Sequence, residues 1–291
     1  MSFVLTLVAA REATSLTQGM IDRVRDAVGG RTPQILSAGE AADIPGLAGD
    51  DLAAARAALE GAKVDLLISR ARQRARRLLV ADMDSTIVTS ETLDELAGYA
   101  GLKESVAEIT RASMNGEMDF REALRARVAM LKGLPLESLE ATWRGVELTA
   151  GARTLVATMR WFGATTALVS GGFTFFTARV AAVCGFDHHR ANVLLEEGEV
   201  LSGRVGEPIL DRDAKLATMR ALMRAHGLRR QASLAVGDGA NDLAMLREAG
   251  LGVAFHARPI VSAQVANRVD HADLRALLFA QGYPAEVFRE A

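Results

Sequence analysis

Three short apolar runs, far apart in the chain, each end abruptly in small polar or acidic residues. Residues 78–81 lead into Asp82-Met83-Asp84-Ser85-Thr86, residues 165–169 into Ser170-Gly171-Gly172, and residues 233–236 into Gly237-Asp238-Gly239-Ala240-Asn241-Asp242. Runs of this length, bounded by turn-forming residues, read as buried strands. Helical periodicity lies between them, over residues 152–161, 175–184, from about Lys215, and over 242–249, with a further strand at 252–255. Strands alternating with helices predict a parallel, doubly wound α/β sheet of the Rossmann kind. In such a sheet the C-terminal ends of the strands line the ligand crevice. The three polar clusters are therefore expected to meet in one place.

The rest of the chain is arranged around that sheet. At 291 residues it is long enough for two domains. Amphipathic helical patterning after the first strand predicts a helical cap inserted at about 90–148, over the C-terminal edge of the sheet. A hairpin-like stretch follows at 191–204. Ahead of the core, a strand at 4–8, a helix at 16–28 closed by Gly29-Gly30, a weak strand at 34–36 and a strand at 64–68 predict a small α+β domain. Within it, residues 38–51 read as loop and edge strand. A second helix is expected after Asp50-Asp51, whose carboxylates suit a helix N-terminus. The expected division is residues 1–74 and 75–291. The basic stretch at 71–77 between them reads as a solvated helix turn rather than an anion patch.

Composition excludes several partner classes. Lysine plus arginine (34) nearly balances aspartate plus glutamate (36), so no net field favours nucleic acid or a membrane surface. No apolar run approaches the roughly 20 residues needed to span a bilayer. The apolar N-terminus lacks the basic start of a signal peptide. The single cysteine, Cys184, cannot form an intramolecular disulfide and reads as a small apolar residue of a helix, which fits a reducing cytoplasm. The five histidines show no zinc-ligand spacing, and His188-His189 is expected in a surface loop.

The converging clusters carry specific chemistry. Asp82, Asp84, Asp238 and Asp242 would bring up to four negative charges into one crevice, which demands a cation. All-oxygen ligation suits Mg2+. Of two carboxylates two positions apart at a strand end, one can attack phosphorus while the other protonates the leaving oxygen and later activates water. Ser170 and the glycines after it can meet phosphate oxygens, and Lys215 can balance charge on a transferring phosphoryl group. Each motif alone is ordinary: Asp-x-Asp is usually a turn and cap, and Gly-Asp-Gly a tight turn. Their joint occurrence in this order is not.

At these residues the sequence resembles the haloacid dehalogenase superfamily. The runs VADMDSTIVTSETLDELA, MNGEMDFREALRARVAMLKGLP, VSGGFTFF and AVGDGANDLAML are similar to the bacterial phosphoserine phosphatase family, and the resemblance spans roughly residues 78–277. The N-terminal seventy residues weakly resemble ACT-like modules. The resemblance implies a Mg2+-dependent phosphatase acting on L-phosphoserine in the last step of serine biosynthesis. It implies Asp82 as nucleophile and metal ligand, and Asp84 as acid/base that lends a backbone carbonyl to the metal. Asp238 is then the remaining protein ligand, with Asp242 supporting the metal through water or a hydrogen bond. Ser170, Gly171, Gly172 and Lys215 hold the phosphoryl group, and Asn241 contacts phosphate or cap. Glu91 and Arg127 read the substrate's ammonium and carboxylate under a lid of Met114 and Phe120. Independently, Phe120, Leu124, Arg127 and Leu131 fall on one helical stripe, so Arg127 interrupts an apolar face while Arg121 and Arg125 lie off it. Phosphothreonine, phosphohomoserine and phosphoryl transfer to free serine remain alternatives at this point. No nucleic acid or membrane partner is expected. A homodimer through the N-terminal domain is, because such sheets expose pairing edges.

Overall fold

The structure is a computed structural model that describes residues 2–49 and 52–290. The N-terminal unit runs β1 (Phe3–Ala9), α1 (Gln18–Val28), β2 (Gln34–Ser37), β3 (Ala41–Leu47), α2 (Ala53–Ala58) and β4 (Val64–Arg70). Its sheet has the order β2-β3-β1-β4, with antiparallel pairing throughout. Leu5, Leu7, Ile44, Leu66 and Ile68 pack against Ile21, Val24 and Leu59 of the helical layer. The opposite sheet face is also covered: Val8, Leu36, Ala41 and Leu67 join the core of the second unit. That double burial is why β1 reads as an apolar run rather than an alternation. Thr17 opens α1 by accepting a hydrogen bond from the Met20 N–H (3.3 Å), and Gly29 closes it at φ 61°.

Residues 38–51 were expected as loop and edge strand, but β3 is an inner strand paired on both sides. Pro45 is tolerated there because β2 pairs only as far as Asp43, so no ladder donor is needed beyond it. Asp50 and Asp51, proposed to favour the start of α2, lie outside the described residues.

The second unit begins with β5 (Leu78–Ala81), then four helices, α3 (Thr92–Gly98), α4 (Lys103–Met114), α5 (Phe120–Ala129) and α6 (Glu137–Arg144). The α/β alternation follows: α7 (Ala152–Trp161), β6 (Thr165–Phe173), α8 (Thr174–Cys184), β7 (His188–Asn192), β8 (Leu194–Glu197), β9 (Val200–Val205) and α9 (Arg212–Ala225). The chain ends through β10 (Ser233–Gly237), α10 (Leu243–Glu248), β11 (Leu251–Phe255), α11 (Pro259–Ser262), β12 (Asn267–Val269) and α12 (Ala276–Phe279). Six strands form one parallel sheet in the order β12-β11-β10-β5-β6-β7. This is the doubly wound α/β core with a helical insert that the alternation predicts. β5 lies centrally and all four of its residues are fully buried, so the chain leaves it directly above the crevice.

Two local expectations change. β6 does not stop at Val169 but continues through Ser170-Gly171-Gly172 to Phe173, with an irregular pairing to β7 over that stretch. His188 and His189 lie in β7, an exposed edge strand, rather than in a loop. Polar residues suit an edge strand, and Asp187 pins it by accepting from the Thr166 N–H (2.8 Å) and hydroxyl (3.0 Å).

The units are joined by buried polar contacts. Asp65 of β4 accepts from the N–H groups of Asp270 (2.8 Å), His271 (3.1 Å) and Ala272 (2.7 Å). Burial nevertheless pushes its carboxyl above the ordinary range. Ile68 N–H donates to Asn267 Oδ1 (2.6 Å), which places β12 against the β4 edge. The stretch 71–77 is not a solvated helix turn: it is irregular, and Arg74 runs inward to pair with Asp43 and to meet the carbonyls of Phe279 and Ala280. Among the described residues, no helix is long and apolar enough to cross a membrane.

Candidate active site

The first polar cluster leaves β5 in a tight turn. Asp82 N–H still bonds to Val236 O (3.0 Å), and the Met83 carbonyl collects the N–H groups of Thr86, Ile87 and Val88. Ser85 takes the left-handed conformation (φ 53°) that this reversal needs. Met83 is buried in the core, while the side chains of Asp82 and Asp84 both line a pocket under the helical insert.

The carboxylates have different surroundings. Asp82 Oδ1 lies 2.8 Å from Lys215 Nζ, and Asp242 Oδ1 lies 2.7 Å from the same ammonium. Burial works against the charge of Lys215, but Asp242 and Asp82 outweigh it and hold its pKa up. Lys215 comes from α9, whose N-terminus is capped by Asp211 through the Asp213 and Ala214 N–H groups, so the helix starts earlier than Lys215 itself. Asp242 Oδ2 also accepts from Gly239 N–H (3.2 Å). Asp84 faces away from this group. Its Oδ1 accepts from Thr92 N–H (2.9 Å) at the start of α3, and its Oδ2 from the Ser170 hydroxyl (3.2 Å). Burial raises its pKa to about 6, with the charge of Asp82 adding to the effect against those two bonds.

Oxygens of Asp82, Asp238 and Asp242 all lie within 4.8 Å of one another, and all three residues are buried. Burial and the neighbouring charge of Asp82 push Asp238 well above the ordinary range, and burial lifts Asp242 to about 7. One ammonium cannot neutralise this group. Two oxygens bound side by side to a small divalent ion lie roughly 3 Å apart, so little movement is needed to close the cluster on one. The donor set is all oxygen, which fits a hard cation. Asp242 stands within this triplet, whereas the Asp84 carboxylate is not part of it.

The Ser170-Gly171-Gly172 stretch forms the floor. Gly172 N–H donates to Ser170 Oγ (2.8 Å). A Cβ on Gly171 would meet Phe120 Cζ at 2.6 Å, and one on Gly172 would meet Asp84 Oδ2 at 2.9 Å, so neither position admits a side chain without displacement. Asn192 fixes this floor from β7 by donating to the carbonyls of Gly171 (2.8 Å) and Leu210 (3.2 Å).

The helical insert supplies the roof. Glu91, immediately before α3, accepts from the Ser85 hydroxyl (2.5 Å), and burial with the charge of Asp84 raises its pKa to about 8. Arg127 of α5 is buried and donates from Nη1 to Thr110 Oγ1 (2.9 Å) and from Nε to Ala123 O (3.2 Å). Thr110 in turn donates to Asp94 Oδ1 (2.6 Å). Arg121 and Arg125, off the apolar stripe, reach instead to Asp211 and Glu207 of the core and tie insert to sheet. The hairpin β8–β9 meets the insert through Gly133 N–H to Leu201 O (2.8 Å) and Leu136 N–H to Glu199 O (3.0 Å).

Asp82, Asp84, Glu91, Met114, Phe120, Arg127, Ser170, Gly171, Gly172 and Asn241 thus line one small pocket of about 40 Å³. Lys215, Asp238 and Asp242 lie behind it, around Asp82. Sequence reasoning missed Asp94, Thr110 and Asn192. Only Thr110 carried a signal, because Val106, Thr110 and Met114 recur at helical spacing on α4.

A family model for haloacid dehalogenase-like hydrolases matches residues 79–247. A phosphoserine phosphatase of Streptomyces coelicolor is 40% identical over 233 residues, covering 80% of this chain and 57% of that protein. The chain spans about three-fifths of the length of this and two further curated relatives. A solved phospho-aspartyl intermediate analogue of phosphoserine phosphatase is 36% identical, with a TM-score of 0.68 and coverage of 70% of this chain and 98% of that one. The chain belongs to the haloacid dehalogenase-like hydrolases, in their phosphoserine phosphatase family. For this family member the likeness extends to the N-terminal sheet. The unliganded structure of a probable phosphoserine phosphatase from Vibrio cholerae is 30% identical and covers 98% of this chain and 88% of its own, at a TM-score of 0.77. The buried cluster of Asp82, Asp238 and Asp242 is consistent with the metal site of such a hydrolase.

Proposed function

We propose that this chain is a Mg2+-dependent phosphoserine phosphatase, converting O-phospho-L-serine to L-serine and phosphate through an aspartyl phosphate on Asp82. The observation that carries this reading is one small pocket lined by two differently placed carboxylates, Asp82 and Asp84, and by an acidic and a basic side chain, Glu91 and Arg127, from the insert. Asp82 attacks phosphorus. Asp84, with a pKa near the working range, gives its proton to the departing serine oxygen and then takes one from the water that opens the intermediate. Ser170, Gly171 and Lys215 hold the phosphoryl group. Asp82, Asp238 and the Asp84 carbonyl would hold magnesium, with Asp242 supporting it through water or a hydrogen bond, and the ion would supply the positive charge that a phosphate dianion needs to approach. Glu91, which the arriving positive charge would return to its ionised form, takes the substrate ammonium, and Arg127 takes its carboxylate. Asn241 Oδ1 is buried without a partner among the described residues, and a ligand donor would satisfy it. Met114 and Phe120 exclude water.

The same reading treats residues 1–74 as an ACT-like accessory domain, residues 75–291 as the catalytic domain and 90–148 as its cap, in a cytoplasmic enzyme of serine biosynthesis. A homodimer through the N-terminal sheet would use β2, because β4 lies against β12. The test is phosphate release with magnesium from L-phosphoserine, D-phosphoserine, phosphothreonine, phosphoethanolamine and an aryl phosphate. L-phosphoserine is expected to lead in kcat/KM, with phosphoethanolamine poor. A flat panel would leave the core chemistry and remove the substrate assignment.

A further inference from the structure

The arginines at the junction of the two units are not equivalent. Arg74 is neutralised by Asp43, and Arg77 Nε donates to Gly163 O (3.2 Å). Arg76 is only 5% exposed, yet among the described residues no carboxylate pairs with it. Its Nη1 donates to the Gln231 carbonyl, and its Nε has no partner among the described residues. Burial, followed by repulsion from Arg74 and Arg70, pushes its pKa down to about 10, which still leaves it charged at neutral pH.

Arg76 borders a cavity of about 610 Å³ lined also by Arg70, Arg72, Arg230, Ser2 and Gln231. No acidic side chain lines it among the described residues. Arg70 and Arg72 are exposed and make no ion pair there, while Arg230 uses Nε and Nη2 on the carbonyls of Glu248 (2.6 Å) and Arg247 (3.0 Å). A guanidinium does not shed its proton to escape burial. A buried charge left without a counterion destabilises the fold, and anion binding relieves that. Four cations around a concavity also focus positive potential in it. The volume suits a small-molecule ligand and exceeds that of a lone phosphate.

We propose that this cavity is an anion site, separate from the catalytic pocket, that takes a small phosphorylated molecule of nucleotide size. It opens where the chain enters β5, whereas Asp82 stands where β5 ends. Five residues, four of them the strand β5, separate Arg76 from Asp82, a span of up to roughly 20 Å. Arg76 and Arg72 bind the phosphoryl oxygens as planar forks, and the body of the ligand fills the space toward Ser2 and Gln231.

The test uses the full chain with magnesium and ADP as the probe, read by calorimetry and by melting temperature. The catalytic pocket, at about 40 Å³, is too small for a nucleotide, and the Arg70 and Arg72 substitutions assign any ADP binding to this cavity rather than to another. ADP is expected to bind and to raise the melting temperature. Arg70→Gln with Arg72→Gln should weaken binding tenfold or more without changing phosphoserine turnover, and Arg76→Gln should abolish it. Should Arg76→Gln not fold, the exposed pair decides. Equal ADP affinity in wild type and the double variant overturns the proposal. So does the absence of any ADP effect, or binding confined to long polyanions such as heparin. None of these outcomes touches the phosphatase reading.

Discussion

Replacing Arg127 by methionine isolates recognition of the substrate carboxylate. Methionine keeps most of the volume on α5 and removes the charge. Arg127 is 7% exposed, lines the pocket and, among the described residues, is bonded only to Thr110 and to the Ala123 carbonyl, which leaves donors for a ligand. Removing one partner of a buried charge pair costs about 2–5 kcal/mol. At about 1.4 kcal/mol per tenfold, kcat/KM for L-phosphoserine should fall by roughly 30-fold to a few thousand-fold. Phosphoethanolamine, which lacks the carboxylate, should lose much less. The variant also leaves Asp94 without the positive charge that Arg127 supplies to it. Any loss of folded protein from that source affects both substrates equally, so the assay is the ratio of the two kcat/KM values. An unchanged ratio, with both substrates falling together, would refute the assignment of Arg127 as carboxylate reader.

Other expectations follow from the same geometry. Magnesium should raise the melting temperature, by about 2.7 kcal/mol of stabilisation at 100 times its Kd, and Asp238→Asn should lose that shift. Because the folded pKa of Asp238 is raised, the stability linked to its protonated form is present below about pH 3.9 and is lost as pH rises through the folded value. Metal-free Asp238→Asn should therefore be at least as stable as the metal-free parent at neutral pH; a less stable variant would contradict the buried repulsion. Gly171→Ala should displace Phe120 and lower kcat/KM, with an overpacking cost of about 1–3 kcal/mol in stability; parental kinetics and melting would show that Phe120 does not rest on this floor. Cys184 is fully buried, and burial pushes its thiol up to about 11. At pH 8 it should react with a disulfide reagent only after unfolding, and rapid labelling of native protein would refute its place in the core.

Much of this was legible in the sequence because strand ends in a parallel sheet converge whatever their separation in the chain. That rule alone assembles Asp82, Asp84, Ser170, Asp238 and Asp242. Lys215 reaches Asp82 because Asp211 starts α9 one turn before it. β3 was obscured by Pro45 and Gly46, which local propensity assigns to a loop, although the short reach of β2 makes the proline harmless. β7 was obscured by His188-His189-Arg190, whose polarity reflects an edge position that only the finished sheet defines. Asp94 and Asn192 act through partners on other elements, and neither has a local pattern. Arg74 and Arg76 looked like surface charge because an isolated basic run carries no sign of which members will be enclosed when two units close on it.

The most direct single measurement is an acid quench of the enzyme during single turnover of L-phosphoserine labelled with 32P. The expected result is transient label on the protein, hydroxylamine-sensitive as an acyl phosphate is, mapped to Asp82 and decaying as free phosphate appears. Release of phosphate with no protein-bound label at any time, or label on a residue other than Asp82, would contradict the mechanism.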